Sequence, residues 1–447
     1  MARSRVSVIL RRRIRVEPFG CAIIPLCVNP RIEIPQVQVS ALTFGPCAIA
    51  RVDGKSVMIP AALPGEVLEI EIGSHKRDYA LGRIVRVIRP APERREPPCP
   101  YIARCGGCDW QHIRYDAQAR LKAEVLVAEF RHTLGIELDP DGLVEPAPAE
   151  FSYRSRVRLK TGPGGQLGFH HPGSNSFVGV ESCLVAVLPI GVAAPLSRAL
   201  GRNCSEIEVV AGQHGAVLIA NLMRAPGASE RKIARQMLEN SVAGLILRAG
   251  AQRELFGDVR ITCEAESGCV IEADADLFSQ VNRSQNLKLV AAVMQLAEIS
   301  PAARVLDLFC GTGNFSLPAA RRAAYVVGVD SNELAIEAAR ANAKRMGLKE
   351  TQFVAMRAVE GLHFLRQADY CPDVLILDPP RAGAVHLIEP MSRLKARRLV
   401  YVSCNPSTLV RDLRQLILKG YKISNVRALD FFPNTHHIEV AASLLLT

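Results

Sequence analysis

Two rhythms of apolar and polar residues divide the chain. Over residues 37–87 they alternate in short runs, such as Val57-Met58-Ile59, Val67-Leu68-Glu69-Ile70-Glu71-Ile72 and Gly82-Arg83-Ile84-Val85-Arg86-Val87-Ile88. Turn residues at Asp53-Gly54, Pro64-Gly65 and Gly73-Ser74 cut them apart. Strands this short and evenly spaced predict a small closed barrel of the OB type, a common single-strand nucleic-acid module, with Lys76, Arg77, Arg83 and Arg86 as its charge. From Ser279 onward the rhythm changes. The runs Val305-Leu306-Asp307-Leu308, Val326-Val327-Gly328-Val329-Asp330, Val374-Leu375-Ile376-Leu377-Asp378 and Leu399-Val400-Tyr401-Val402 are separated by helix-length segments. Apolar strands alternating with helices predict a doubly wound parallel sheet.

Between these lies mixed text. A linker rich in Pro and Arg covers residues 90–98, and the spacing of Leu121, Val125, Ala128 and Phe130 predicts a helix over 117–133. Residues 151–274 carry β-like runs, among them Ile207-Glu208-Val209-Val210 and Ala216-Val217-Leu218-Ile219. The expected organisation is a basic arm over 1–40, a barrel over 41–92, a central mixed α+β domain over 93–275 and an α/β domain over 276–447. The arm carries seven arginines against two glutamates and reads either as an RNA-touching extension or as the product of a misassigned start.

Composition narrows the class. With 447 residues and 49% hydrophobic content, the chain is a folded protein of two or three domains. A net charge of +11 favours a polyanionic partner, while aromatics at 5% leave few surfaces for stacking bases. No run reaches the roughly 18 apolar residues of a membrane span. Thirteen cysteines, an odd number, stand in a chain without a secretory pattern, which points to a reducing cytoplasm and to metal or catalytic roles for clustered thiols.

Chemistry gathers at the predicted strand ends. Gly311-Thr312-Gly313 follows the run ending at Leu308, where open α/β sheets bind nucleosides. Ser316 replaces the third glycine of a dinucleotide loop, which counts against NAD and for S-adenosylmethionine, a ligand without phosphate. Asp330 ends the next strand, where a carboxylate can accept from both ribose hydroxyls. Asp378-Pro379-Pro380 ends another. Arg381 follows it, where an aromatic would be expected for methylation of an exocyclic nitrogen.

Cys404 lies just past the Leu399–Val402 run, in Ser403-Cys404-Asn405-Pro406, and faces the same edge. Carbon 5 of uracil is a poor nucleophile until a thiolate adds to carbon 6. After methyl transfer a base must remove the carbon 5 proton, and Glu439, after His436-His437-Ile438, is the candidate. Cys99, Cys105 and Cys108, with Gly106-Gly107 between the last two, form a three-thiol metal cluster. Cys183 is the best-placed fourth ligand, with Cys204, Cys263 and Cys269 as rivals. Spacing does not separate iron–sulfur from zinc, and a structural role is favoured over electron transfer.

Together with Phe278-x-Gln280-x-Asn282, these motifs resemble the RNA uracil-5-methyltransferases, from about Ala41 onward. The resemblance implies an N-terminal TRAM barrel, a central domain with a [4Fe–4S] cluster on Cys99, Cys105, Cys108 and Cys183, and a Rossmann-like methyltransferase domain. It implies S-adenosylmethionine contacts from Gln280, Phe309, Asn314, Asp330 and Asp378, with Cys404 as nucleophile and Glu439 as base. Two positions depart from the family pattern. Arg357 stands at a cofactor position near the adenine where an asparagine or acid is frequent, and His436 stands where a small residue is common. Barrel and cysteine cluster together argue for a single-stranded or loop uridine of 23S rRNA, with neither DNA nor membrane as partner. The alternatives are another tRNA or rRNA target, or an inactive iron–sulfur RNA-binding protein. Cytosine methylation in DNA is disfavoured because Ser403, not proline, precedes the thiol.

Overall fold

A computed structural model describes residues 34–447 apart from Ser241. The basic arm therefore lies almost wholly outside the described residues. Five strands, Gln36–Leu42, Cys47–Val52, Lys55–Pro60, Val67–His75 and Tyr79–Arg89, close into a barrel. Its filling is the inward set of the alternating pattern, including Val37, Ala48, Val57, Ile59, Leu68 and Ile70. The first strand begins at Gln36, ahead of the boundary expected at 41. Of the four cations assigned to its surface, two are already paired, Arg83 with Glu71 and Arg86 with Glu69. Lys76 and Arg77 make no ion pair with the described residues and remain available to phosphate. Glu66, fully buried, binds Arg94 and fastens the barrel to the linker.

A seven-stranded sheet forms the centre, in the order Gln252–Gly257, Gly244–Ala249, Ala216–Leu222, Cys204–Ala211, Arg156–Thr161, Leu167–His170, Phe177–Gly179. A separate hairpin, Arg260–Glu266 with Cys269–Asp274, packs against the helices Arg283–Ala297 and Glu333–Arg345.

The third sheet carries the predicted cofactor loop. Its order is Thr351–Ala355, Tyr325–Asp330, Arg304–Leu308, Val374–Leu377, Arg398–Ser403, Glu439–Leu446, Tyr421–Leu429, Val144–Glu145. The first five strands are parallel, as their apolar runs predicted, and Glu439–Leu446 is antiparallel to Arg398–Ser403. A strand running the opposite way begins at the edge where the parallel strands end. Glu439 thereby reaches the carboxyl edge as the first residue of its strand.

The expected domain border needs one correction. The helix Tyr115–Leu134 packs on the helix Pro406–Leu418, and Val144–Glu145 pairs with Ala428 and Leu429 as the sheet's last strand. Residues 115–145 thus belong to the α/β unit, not to the centre. A two-residue strand carries no period by which sequence could place it.

Candidate active site

Strand Arg304–Leu308 leads into a loop whose backbone is unusual. Phe309 has φ +64, a left-handed conformation rare for a bulky side chain, and Gly311 and Gly313 have φ +52 and +100. A Cβ on Gly313 would lie 2.8 Å from Leu317, so glycine is required there twice over. Beneath the loop, the hydroxyl of Ser316 donates to the buried carboxylate of Asp307. Burial, helped by the nearby Asp378 and Asp330, pushes Asp307 up to about 7 against the Ser316 bond. Ser316 therefore has a partner where a third glycine would have none.

Asp330 holds the loop from the next strand, accepting from the amides of Gly311 (3.0 Å) and Asn332 (2.8 Å). Asn314 is paired side chain to side chain with Asn286, at 2.9 and 3.0 Å, which ties the loop to the helix Arg283–Ala297. Gln280, half-buried, lies on the segment just ahead of that helix, whose N-cap is Asn282. Arg357 behaves otherwise. It caps the helix Ala358–Gln367 and spends its exposed guanidinium on Glu360.

Three strand ends converge on Cys404. The last bridged pair of its strand sets Ser403 opposite Val440, so the next step of the same register sets Cys404 opposite Glu439. Facing residues of an antiparallel pair have Cα atoms about 4.5–5.5 Å apart. Asp378 ends the strand on the other side. The loop after it is bound to the Cys404 turn, because the carbonyl of Arg381 accepts from Asn405 Nδ2 (3.3 Å) and Thr408 Oγ1 (3.2 Å). Tyr401 and Asp412 support that loop from below: the tyrosine hydroxyl donates to Asp412 at 2.7 Å, and the amide of Ala384 donates to both.

The electrostatics follow from this crowding. Burial pushes the Cys404 thiol up to about 11; Glu439 and Asp378 add to the shift, and Arg381 opposes it. Burial holds Glu439 well above the usual carboxylate range, with Asp378 adding and Arg381 opposing. Burial also pushes Asp378 up to about 7. His437 lies 3.5 Å from Arg381, and burial first, then His436 and Arg381, press it down to about 3, so its ring is neutral.

The four cysteines expected to hold a cluster lie together. Burial is the main cause of the raised thiols at Cys105, Cys108 and Cys183. Beyond it, Cys105 feels Cys183 and Cys99, Cys108 feels Cys183 and Cys105, and Cys183 feels Cys99. Of the rivals, Cys204 is packed in the same apolar cluster that Cys183 borders, Cys269 is packed in another, and Cys263 neighbours Asn286. Among the described residues no three His, Cys, Asp or Glu are spaced to hold one metal ion. A single zinc would draw four sulfurs to about 3.8 Å of one another, from a bond length of about 2.3 Å. Sequence motifs alone did not point to Asp307, Asn286, Lys122 or Asn434, whose roles come from long-range bonds.

The tRNA (Uracil-5-)-methyltransferase family matches residues 265–447, and the TRAM domain matches residues 34–85. The chain is 32% identical to the 23S rRNA (uracil(1939)-C(5))-methyltransferase RlmD of Pectobacterium atrosepticum, over 89% of this chain and 90% of that protein. It is 33% identical to the enzyme of the same name from Salmonella paratyphi A, over 91% of this chain and 95% of that one. Among solved structures it resembles the Pyrococcus abyssi tRNA (uracil-54, C5)-methyltransferase in complex with S-adenosyl-L-homocysteine. The TM-score is 0.72 at 23% identity, covering 92% of this chain and all of that one. That span is too large to leave out the barrel.

Proposed function

The chain belongs to the 23S rRNA (uracil-C5)-methyltransferase family, and from that premise we propose that it methylates carbon 5 of one uridine in 23S rRNA through a covalent Cys404 adduct. The observation that carries this reading is the pairing of Ser403 with Val440, which brings Cys404, just past its strand, and Glu439, the first residue of the neighbouring strand, to the same edge, with Arg381 acting on both. The choice of 23S rRNA rests on two curated relatives matched over nearly their whole length, not on the barrel.

The residues divide the work as follows. Arg381 opposes the burial that keeps the Cys404 proton in place, and so is the group that makes a thiolate attainable. The thiolate adds to carbon 6 of uracil, and the displaced electron pair moves onto the carbon 4 carbonyl as an enolate. S-adenosylmethionine, when bound, supplies the methyl group and a positive charge at the strand ends. Gln280, Phe309, Asn314, Asp330 and Asp378 would hold it; Arg357, already engaged with Glu360, is left out. Once carbon 5 carries the methyl, ionised Glu439 takes its proton, the enolate re-forms, and its electron pair expels the sulfur from carbon 6. A base with a raised pKa suits that task, because it takes a carbon-bound proton more readily.

Cys99, Cys105, Cys108 and Cys183 would hold a [4Fe–4S] cluster, with the role of a structural brace. What supports this is the donor chemistry: four thiols that influence one another's protonation, two of them beside the buried guanidinium of Arg154.

The test separates the two ends of the cycle. Cys404→Ala is expected to form no adduct and no methylated RNA. Glu439→Gln is expected to add the thiol and transfer methyl, then stall, since loss of a base costs roughly a hundredfold to ten-thousandfold. The observable is a denaturation-resistant protein–RNA band carrying labelled methyl, present in the glutamine variant and absent in the alanine variant. Normal turnover by Glu439→Gln would sink the assignment of the base.

A further inference from the structure

The turn that leads into Glu439 is held by residues far from it in sequence. Its centre is Asn434, fully buried and with φ +65. Its carbonyl accepts from the amides of Asp109 (3.2 Å) and Trp110 (3.0 Å). Its amide donates to Gln118 Oε1 at 2.8 Å, and its side chain bonds Gln118, Arg95 and the carbonyl of Glu150. Tyr153 donates to the carbonyl of Pro433, and Lys122 to that of Phe432. One contact is of another kind. Asp109 accepts from the backbone amide of His436 at 2.9 Å with one carboxylate oxygen and meets the Nδ1 of the same ring with the other. Both oxygens are spent on one residue, three positions ahead of Glu439. This gives His436, a departure from the family pattern, a partner.

We propose that Asp109 is a positioning residue for the proton-abstraction step. Through His436 it fixes the turn that carries Glu439 into register opposite Cys404. The Cys404 turn has no contact with Asp109 and is bound instead to the Arg381 loop. The effect therefore falls on the end of the reaction and spares its beginning. This inference rests on the reading of Glu439 as base.

The experiment uses the full chain with its iron. Asp109→Ala removes both contacts, and His436→Phe removes the ring contact while keeping the backbone amide; the phenylalanine also keeps a ring against Phe44, which His436 meets edge-on at 5.6 Å between centroids. The methylated covalent band should form at nearly the wild-type rate in both variants and decay roughly tenfold to a hundredfold more slowly, the scale of a small misplacement of a reacting group. Amide exchange over residues 430–439 should quicken. Asp109→Ala combined with Glu439→Gln should decay no more slowly than Glu439→Gln alone, because both act on one step. Equal slowing of formation and decay would mean general damage and overturn the proposal, as would unchanged decay. If Asp109→Ala loses iron, His436→Phe, which leaves the cysteine loop intact, decides. If Glu439→Gln traps no band, the base reading has failed, and Asp109 is then judged on exchange over 430–439, where wild-type protection would overturn it.

Discussion

Cys404 sits in a turn anchored by Asn405, Thr408, Tyr401 and Asp412, all within the α/β unit, whereas the turn before Glu439 is gripped not only by Gln118 and Lys122 of that unit but also by Arg95, Asp109 and Tyr153 from outside it. The nucleophile is a property of its own sheet. The base is a property of an assembly that includes the cysteine loop and the helix Tyr115–Leu134. Opening and closing the covalent cycle should therefore respond to damage in different places, and each of the following variants probes that division.

The largest effect is expected at the cluster. Cys105→Ala should lose the brown colour of anaerobically purified protein, much of its solubility, and with them the seating of the turn before Glu439. A colourless wild-type protein with one stoichiometric zinc would replace the iron reading. Next is Lys122, buried against Asp430, where burial pulls the ammonium below its ordinary range and Asp430 pulls it back. Lys122→Met leaves a carboxylate buried without its cation, a loss of about 3–5 kcal/mol. Adding Asp430→Leu should recover most of it in denaturant titrations. A single variant as stable as wild type would show that the pair does not fasten the helix to the sheet.

Tyr401→Phe tests the other side. Removing its bond to Asp412 should cost about 1–3 kcal/mol and loosen the Arg381 loop. Adduct formation should slow while adduct decay keeps its rate, the mirror image of the Asp109 variants. Slowing of decay instead would erase the division between the two turns. The smallest effect concerns pH. Asp307 is raised from 3.8 to about 7, so between those values the folded protein holds a proton that the unfolded chain has released. Its contribution is most favourable below about 4 and fades as pH rises toward 7. Asp307→Asn, which cannot ionise, should therefore melt higher relative to wild type at pH 8 than at pH 4. A constant difference across that range would refute the shift.

Much of this was legible in the chain. Cys404, Asp378 and Asp330 could be placed because each follows an apolar run, and in a parallel sheet such runs end at one edge. Three cysteines stand out by spacing, and Cys183 joins them through the electrostatic influence that it, Cys99, Cys105 and Cys108 exert on one another. The grip on Asn434 left no trace, because its partners at residues 95, 118 and 150 are joined to it by one or two hydrogen bonds each across hundreds of positions. Arg357 has a contact that spacing alone did not give. Its position after Ala355 is at the right edge, but Glu360 three residues on captures the guanidinium. Arg83 and Arg86 read as free charge, yet each has a glutamate across the barrel's strands. Local periodicity reports faces and ends, and pairing between strands decides which charges remain.

The facing of Cys404 and Glu439 across one antiparallel ladder has a consequence for how such a gene can drift. Side chains around the cleft can be exchanged one at a time, because the separation of the two groups is set by main-chain pairing. Length is another matter. Gaining or losing one codon between Leu429 and Glu439, if it slid Glu439–Leu446 by a step against Arg398–Ser403, would turn the carboxylate to the opposite face of the sheet. Lineages that keep the reaction should vary in letters across this stretch and hold its count fixed.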